Sequence, residues 1–166
     1  MKSIHFTIAG LASFLAVTSH AAEFESMKSA LENALGKPTK VFKKKYAVGG
    51  TEYDLYYSKD DKGNPTKFAS VQTAVFKPDC THTWVIGMSA KPEITVDEIR
   101  VVEMKCVKAT EPARKESFLS QFKGKKVADI KSLDKSIDPV ATATYTGIYT
   151  TDAVKRSLEL ASQFKP

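Results

Sequence analysis

The chain has 166 residues, 42% of them hydrophobic, with 25 Lys+Arg against 19 Asp+Glu and a formal net charge of +6. This length suits one globular domain with a real core, and the sequence holds no internal repeat and no low-complexity tract. The basic balance alone invites a nucleic-acid partner, but the lysines are spread out, and only Lys43-Lys44-Lys45 and Lys123-Gly124-Lys125-Lys126 cluster. They read as solvated surface, with docking to an acidic partner as the second option, and no nucleic-acid partner is expected.

Met1-Lys2-Ser3 is followed by the apolar run Ile4 to Val17 and then by Ser19-His20-Ala21. A basic start, a short apolar stretch and a small-x-small end predict a secretory signal peptide, residues 1–21, cleaved after Ala21. The run is too short to span a bilayer and no later segment replaces it, so an integral membrane protein is not expected. With no lipobox cysteine, lipid anchoring is not indicated. The expected address is the periplasm or the exterior, with residues 22–166 as a single domain. Loss of the Lys2 charge lowers the net charge from +6 to +5.

In chain order, Phe24, Met27, Ala30, Leu31, Ala34 and Leu35 follow helical spacing, and Gly36 with Pro38 ends that helix. Segments 41–48 and 51–57 read as strands turned by Gly49-Gly50, and Asp60 to Pro65 as a turn leading into a strand over 67–76. Two further strands, 81–89 and 98–108, join through Lys91-Pro92-Glu93. A hairpin centred on Glu93 sets Cys80 opposite Cys106 with no register adjustment, which predicts a disulfide in an exported protein. Closing that loop is worth about 3–4 kcal/mol in the chain-entropy model. The same register puts Cys80, His82, Trp84, Ile86 and Met88 on one face. Residues 112–122 read as a helix stopped by Gly124, and 127–137 as a mixed connection. Ala153, Val154, Leu158, Ala161 and Phe164 mark a last helix, whose start lies either near Thr146 or at Thr151-Asp152. The expected fold class is α+β, a largely antiparallel sheet with flanking helices.

Most enzyme chemistry lacks its residues. His82 is the only histidine left after cleavage, and with the cysteines paired there are too few ligands for a zinc or copper site, so no metal is expected. No Gly-x-Ser-x-Gly elbow, haem-attachment motif, phosphate loop or dinucleotide fingerprint occurs. His82 reads as a strand residue with a local hydrogen bond, and Trp84 as core packing or a stacking surface.

Asp138-Pro139-Val140-Ala141-Thr142-Ala143-Thr144-Tyr145-Thr146 remains. Small and hydroxyl residues ahead of a helix start permit close approach to the backbone and offer unpaired N–H groups to an anion. A Thr/Ala loop leading into a helix is the plain alternative. Taken with Val85 to Met88, Ile99 to Glu103, Thr110-Glu111-Pro112 and Phe118-Leu119-Ser120-Gln121-Phe122-Lys123-Gly124-Lys125, the stretch resembles the small FMN-binding domain of exported flavoproteins. The same domain occurs in the covalent-flavin subunits of the sodium-pumping NADH:quinone oxidoreductase and of Rnf electron-transport complexes. The resemblance covers residues 65–164.

That resemblance implies an FMN-binding-domain-like fold carrying FMN as a threonine phosphoester installed by a flavin transferase. By position, Asp138 matches the leading Asp of Asp-x-x-Ser-Gly-Ala-Thr-x-Thr, Ala143 the Ala and Thr144 the flavin-bearing threonine. Thr142 and Thr146 are lesser attachment candidates, and Ala141 and Ala143 are expected to leave room for the ribityl chain. Glu111 is the expected hydrogen-bond acceptor near the ring. The chain departs from the pattern at Ala141, Thr142 and Ala113, where Ser, Gly and Gly are usual, and Thr110-Glu111 reverses the loop order. The implied role is electron transfer between redox partners, a cytochrome or a membrane oxidoreductase, rather than an enzyme with its own substrate. A degenerate, non-redox binding or accessory protein of the same fold is the alternative, and a flavin reductase the third option.

Overall fold

The computed structural model describes residues 23–77, 80–105, 110–141 and 143–165. The expected signal peptide, Cys106 and Thr142 lie outside the described residues.

Strands β1 (Phe42–Val48), β2 (Thr51–Lys59), β3 (Pro65–Lys77), β4 (Cys80–Ser89) and β5 (Thr95–Met104) form one antiparallel meander in the order β1-β2-β3-β4-β5. Helix α1 (Met27–Ala34) precedes the sheet; α2 (Thr110–Arg114), α3 (Glu116–Leu119), α4 (Leu133–Ser136) and α5 (Thr144–Ser162) follow it, with 3-10 turns at Ser120–Phe122 and Val127–Ser132. The α+β class and the antiparallel sheet are as expected. Gly49 and Gly50 both have positive φ, 58° and 80°, and Val48 pairs with Thr51 across them. Two such residues make the turn whose twist matches a hairpin, and glycine enters that region without a Cβ penalty.

Each face of the sheet receives one long helix. α5 covers Leu55, Phe68, Trp84, Ile86, Met88, Ile99 and Val101, and this layer is the main core. α1 covers the opposite face through Ala30 and Ala34, against Ala69 and Val85. Its approach depends on Gly87: a Cβ there would stand 3.1 Å from the Cβ of Ala34 and 3.2 Å from Cγ of Glu98. The Ser26 side chain caps α1 by accepting the N–H of Ser29 at 3.1 Å, so the helix starts at Met27, three residues later than Phe24, where its apolar spacing begins.

The β4–β5 pairing corrects one expectation. Ser89 faces Thr95 next to the turn, a register centred on Pro92, whereas His82 faces Met104, a register centred on Glu93. Two bulges separate the ends, leaving Asp97 and Val102 as the extra residues of β5. The cause is the apolar pattern itself: Val96, Ile99, Val101 and Met104 are buried at spacings of three, two and three, which no period-two strand can turn inward. Each bulge swings the following residues back to the core. His82, Trp84, Ile86 and Met88 share the buried face as expected. Cys80 opens β4 and is not a free thiol; its expected partner lies outside the described residues.

The helix expected over 112–122 is instead two short helices and a 3-10 turn, with Ala113, Phe118, Leu119 and Phe122 all buried. After Gly124 the chain closes the β5 edge: the Val96 N–H donates to the Lys125 carbonyl at 2.8 Å, and that of Gly124 to the Val96 carbonyl at 2.8 Å. The Glu25 N–H donates to the Val101 carbonyl at 3.1 Å farther along the same edge.

α5 begins at Thr144, which bears out the earlier of the two expected starts, near Thr146. It buries Thr146, Thr150, Thr151 and Ser157 beside its apolar residues. Thr150, Thr151 and Ser157 donate to the carbonyls four residues back, at 2.8, 3.0 and 2.7 Å, which satisfies hydroxyls that water cannot reach.

Candidate functional site

The Asp138–Thr146 stretch crosses one end of the main core. Val140 and Ala143 are buried, while Asp138, Pro139, Ala141 and Thr144 are exposed. The backbone N–H of Asp138 donates to the side-chain carbonyl of Gln121 at 2.7 Å. Two of the segments that carry the family resemblance are thereby joined side chain to backbone. The Ala143 N–H donates to the Val140 carbonyl at 3.1 Å and turns the chain into α5.

Thr144 is the first residue of this 19-residue helix, and Ala143 before it supplies no side-chain cap. No acidic residue stands in the first turn. The positive end of the helix dipole is therefore not compensated from within the helix beside an exposed hydroxyl, a setting that favours an anion, although Asp134 and Asp138 line the same cleft. Thr144 lines a small cleft of about 110 Å³ with Phe118, Ile137, Asp138, Pro139 and Ile148. A shallower cleft of about 270 Å³ lies on the other side of Phe118, Asp138 and Pro139 and is bounded by Pro112, Lys115, Gln121 and Ala141. Tyr145 and Ile148, 73% and 51% exposed, leave an apolar rim beside Thr144.

The other sequence-selected residues separate. Thr146 is buried, and its hydroxyl meets Nε2 of His82 at 3.3 Å. Nδ1 of His82 lies 2.9 Å from the Thr81 carbonyl. A carbonyl only accepts, so Nδ1 carries the proton and Nε2 accepts from Thr146. Burial pushes the His82 pKa below its ordinary 6.5, against smaller opposing effects of the Thr81 carbonyl and the Glu103 charge. The imidazole is thus neutral and occupied, with the rings of Phe76 and Trp84 edge-on at 4.8 and 5.7 Å. Ala143 points into the core instead of toward a ribityl chain, whereas Ala141 is exposed on the second cleft. Glu111 is exposed on α2 and lines neither cleft, although its neighbour Pro112 does. Trp84 is fully buried, so it packs and does not stack on a ligand.

Gln121, Phe118 and the Tyr145–Ile148 rim were given no role by sequence reasoning. The i, i+3 spacing of Tyr145 and Ile148 marks one helix face, but without the start of α5 it does not say which. A separate cleft of about 440 Å³, between Phe24, Glu98 to Val101 and Glu116 to Lys123, contains none of the predicted site residues. Among the described residues no group of three or more His, Cys, Asp or Glu side chains is placed to hold a metal ion, and no helix is long and apolar enough to cross a membrane.

Comparison with protein-family models, curated proteins and solved structures gives no match.

Proposed function

We propose that the chain is an exported carrier of FMN, joined through a phosphoester to Thr144 by a flavin transferase, that passes electrons between redox partners. One observation carries this reading: Thr144, the residue matching the flavin-bearing threonine, is an exposed hydroxyl at the uncapped start of α5, on the rim of a cleft. Bound flavin supplies the one- and two-electron chemistry; the protein supplies position and electrostatics. The α5 N-terminus would stabilise the phosphate charge by roughly 0.3–1 kcal/mol. Phe118, Pro139, Tyr145 and Ile148 would offer apolar surface to the ring, and Gln121 would hold the Asp138 loop in place.

The second reading, a non-redox binding or accessory protein of the same fold, is favoured by Ala113. It stands where the family has glycine, and its methyl is fully buried within a helical turn.

Intact-protein mass spectrometry separates the two. Co-expression with a flavin transferase is expected to add the mass of one FMN residue, and Thr144→Ala to abolish the addition. An adduct that survives Thr144→Ala moves the attachment elsewhere. No adduct together with no measurable FMN affinity leaves the accessory reading.

A further inference from the structure

The two lysine clusters have different fates. Lys126 pairs with Glu93 and Lys125 donates to the Ser136 hydroxyl, so the second cluster is spent on holding the segment that closes the β5 edge. The first lies on β1, the opposite edge of the sheet, where no further strand pairs among the described residues. Val48 and Thr51 close a two-residue hairpin, so the backbone of Phe42, Lys44, Tyr46 and Val48 faces β2, and that of Lys43, Lys45 and Ala47 faces outward. The Ala47 carbonyl accepts from Gln163 at 3.1 Å. Among the described residues, the outward backbone groups of Lys43 and Lys45 have no backbone partner outside the sheet.

The side chains around this edge are basic and each meets a defined partner. Lys43 and Lys45 meet Asp54 and Glu52 at 3.0 and 3.6 Å on one face. On the other face, among the described residues, Lys40, Lys44 and Lys59 meet no carboxylate and rest on rings: Lys40 and Lys59 lie 5.0 and 4.8 Å from the Phe42 centroid, and Lys44 lies 5.0 Å from that of Phe164 while also donating to the Lys165 carbonyl at 2.8 Å. Those rings form a continuous platform, Phe42 stacking on Tyr57 at 5.4 Å and Tyr57 meeting Phe164 at 4.9 Å. Lysines pinned on rings lose less side-chain freedom when a ligand arrives. A groove of about 530 Å³ between β1 and the end of α5 is lined by Lys44, Lys45, Tyr46, Gln163 and Lys165.

We infer that the β1 edge is a docking site for an extended acidic segment of a partner protein, added as a sixth strand, with carboxylates facing Lys40, Lys44 and Lys59. Edge lysines ordinarily block strand addition, and here they repel basic strands, including a second copy of this basic chain, and disfavour neutral ones through the cost of desolvating the ammoniums. The same charge attracts an acidic strand, whose backbone satisfies Lys43 and Lys45 while its side chains meet the pinned ammoniums. The open backbone groups select polypeptide over a lipid surface, because headgroups offer no strand to pair. The site stands at the far end of α5 from Thr144, about 27 Å along a helix of this length. It would anchor a partner independently of any flavin.

The test uses the mature chain without flavin and four probes: a decapeptide alternating Glu and Val, the same peptide with two central Val→Pro changes, a Lys/Val decapeptide, and phosphatidylglycerol vesicles. The Glu/Val peptide is expected to bind in a salt-sensitive manner and to slow amide exchange at Lys43 and Lys45. The combined variant Lys40→Glu/Lys44→Glu/Lys59→Glu should weaken it by about tenfold or more. Lys→Gln at the same positions, which keeps the side-chain stems and guards against misfolding, should weaken it less. The inference is overturned if the proline peptide or the vesicles bind as tightly, if the two amides exchange unchanged, or if the folded variants bind like the parent.

Discussion

The side-chain carbonyl of Gln121 accepts the backbone N–H of Asp138 at 2.7 Å, across 17 residues of chain. It fixes the loop that delivers Thr144 to the start of α5. The contact is exposed, so Gln121→Ala is expected to cost only about 0.5–1.5 kcal/mol of stability. On the proposed function its larger effect is on positioning. The flavinylated fraction at limiting transferase should fall severalfold, while urea denaturation shows a native-like fold. An unchanged fraction would remove Gln121 from the site.

A buried relay ties the sheet to α5. Nε2 of Gln72 donates to Ser70 at 3.4 Å, Ser70 donates to Ser157 at 2.6 Å, and Ser157 donates to the Ala153 carbonyl at 2.7 Å. Arg156 holds the outer end by donating to Oε1 of Gln72 at 3.0 Å. Ser157→Ala leaves the fully buried Ser70 hydroxyl without its acceptor and is expected to cost about 1–3 kcal/mol. Adding Ser70→Ala removes the orphaned group, so the double variant should lose less than the two single losses summed. A denaturant-based double-mutant cycle measures this; strict additivity would mean the serines do not communicate.

His82 links acidity to stability. It is buried and its folded-state pKa is lowered, chiefly by desolvation. Above the ordinary value of 6.5 the imidazole is neutral in both states, and it contributes no pH dependence. As pH falls below 6.5 the unfolded chain takes up the proton first, so stability falls, and the loss saturates only below the folded pKa. Thermal melts should therefore show a midpoint that drops with acidification from about pH 6.5, and His82→Gln should flatten that slope. A parent slope retained in the variant would place the acid sensitivity in other groups.

The bulges in β5 show how much was legible. Val96, Ile99, Val101 and Met104 announce two breaks in period two, but a single centre was assumed for the whole hairpin. The start of α5 was ambiguous for another reason. Thr146, Gly147, Thr150 and Thr151 carry little apolar signal, yet all are buried on the helix, the Thr150 and Thr151 hydroxyls satisfied by backbone four residues back and that of Thr146 by His82. Hydrophobic periodicity cannot see a buried face made of threonine.

By itself, the sequence determined the α+β class, four of the five strands to within about two residues, and the Gly49-Gly50 turn, because strand alternation and turn chemistry are local properties. It also marked Asp138 to Thr146 as the stretch to watch. The tertiary structure alone decided which of Thr144 and Thr146 is open. Thr144 faces solvent because helix pitch turns it away from the sheet, and Thr146 faces inward because the same pitch sets it against Nε2 of His82 on β4. It also decided that the β1 lysines border an open edge while those at 125 and 126 help to close one. Which edge is covered depends on contacts between residues some thirty apart, beyond the reach of any local pattern.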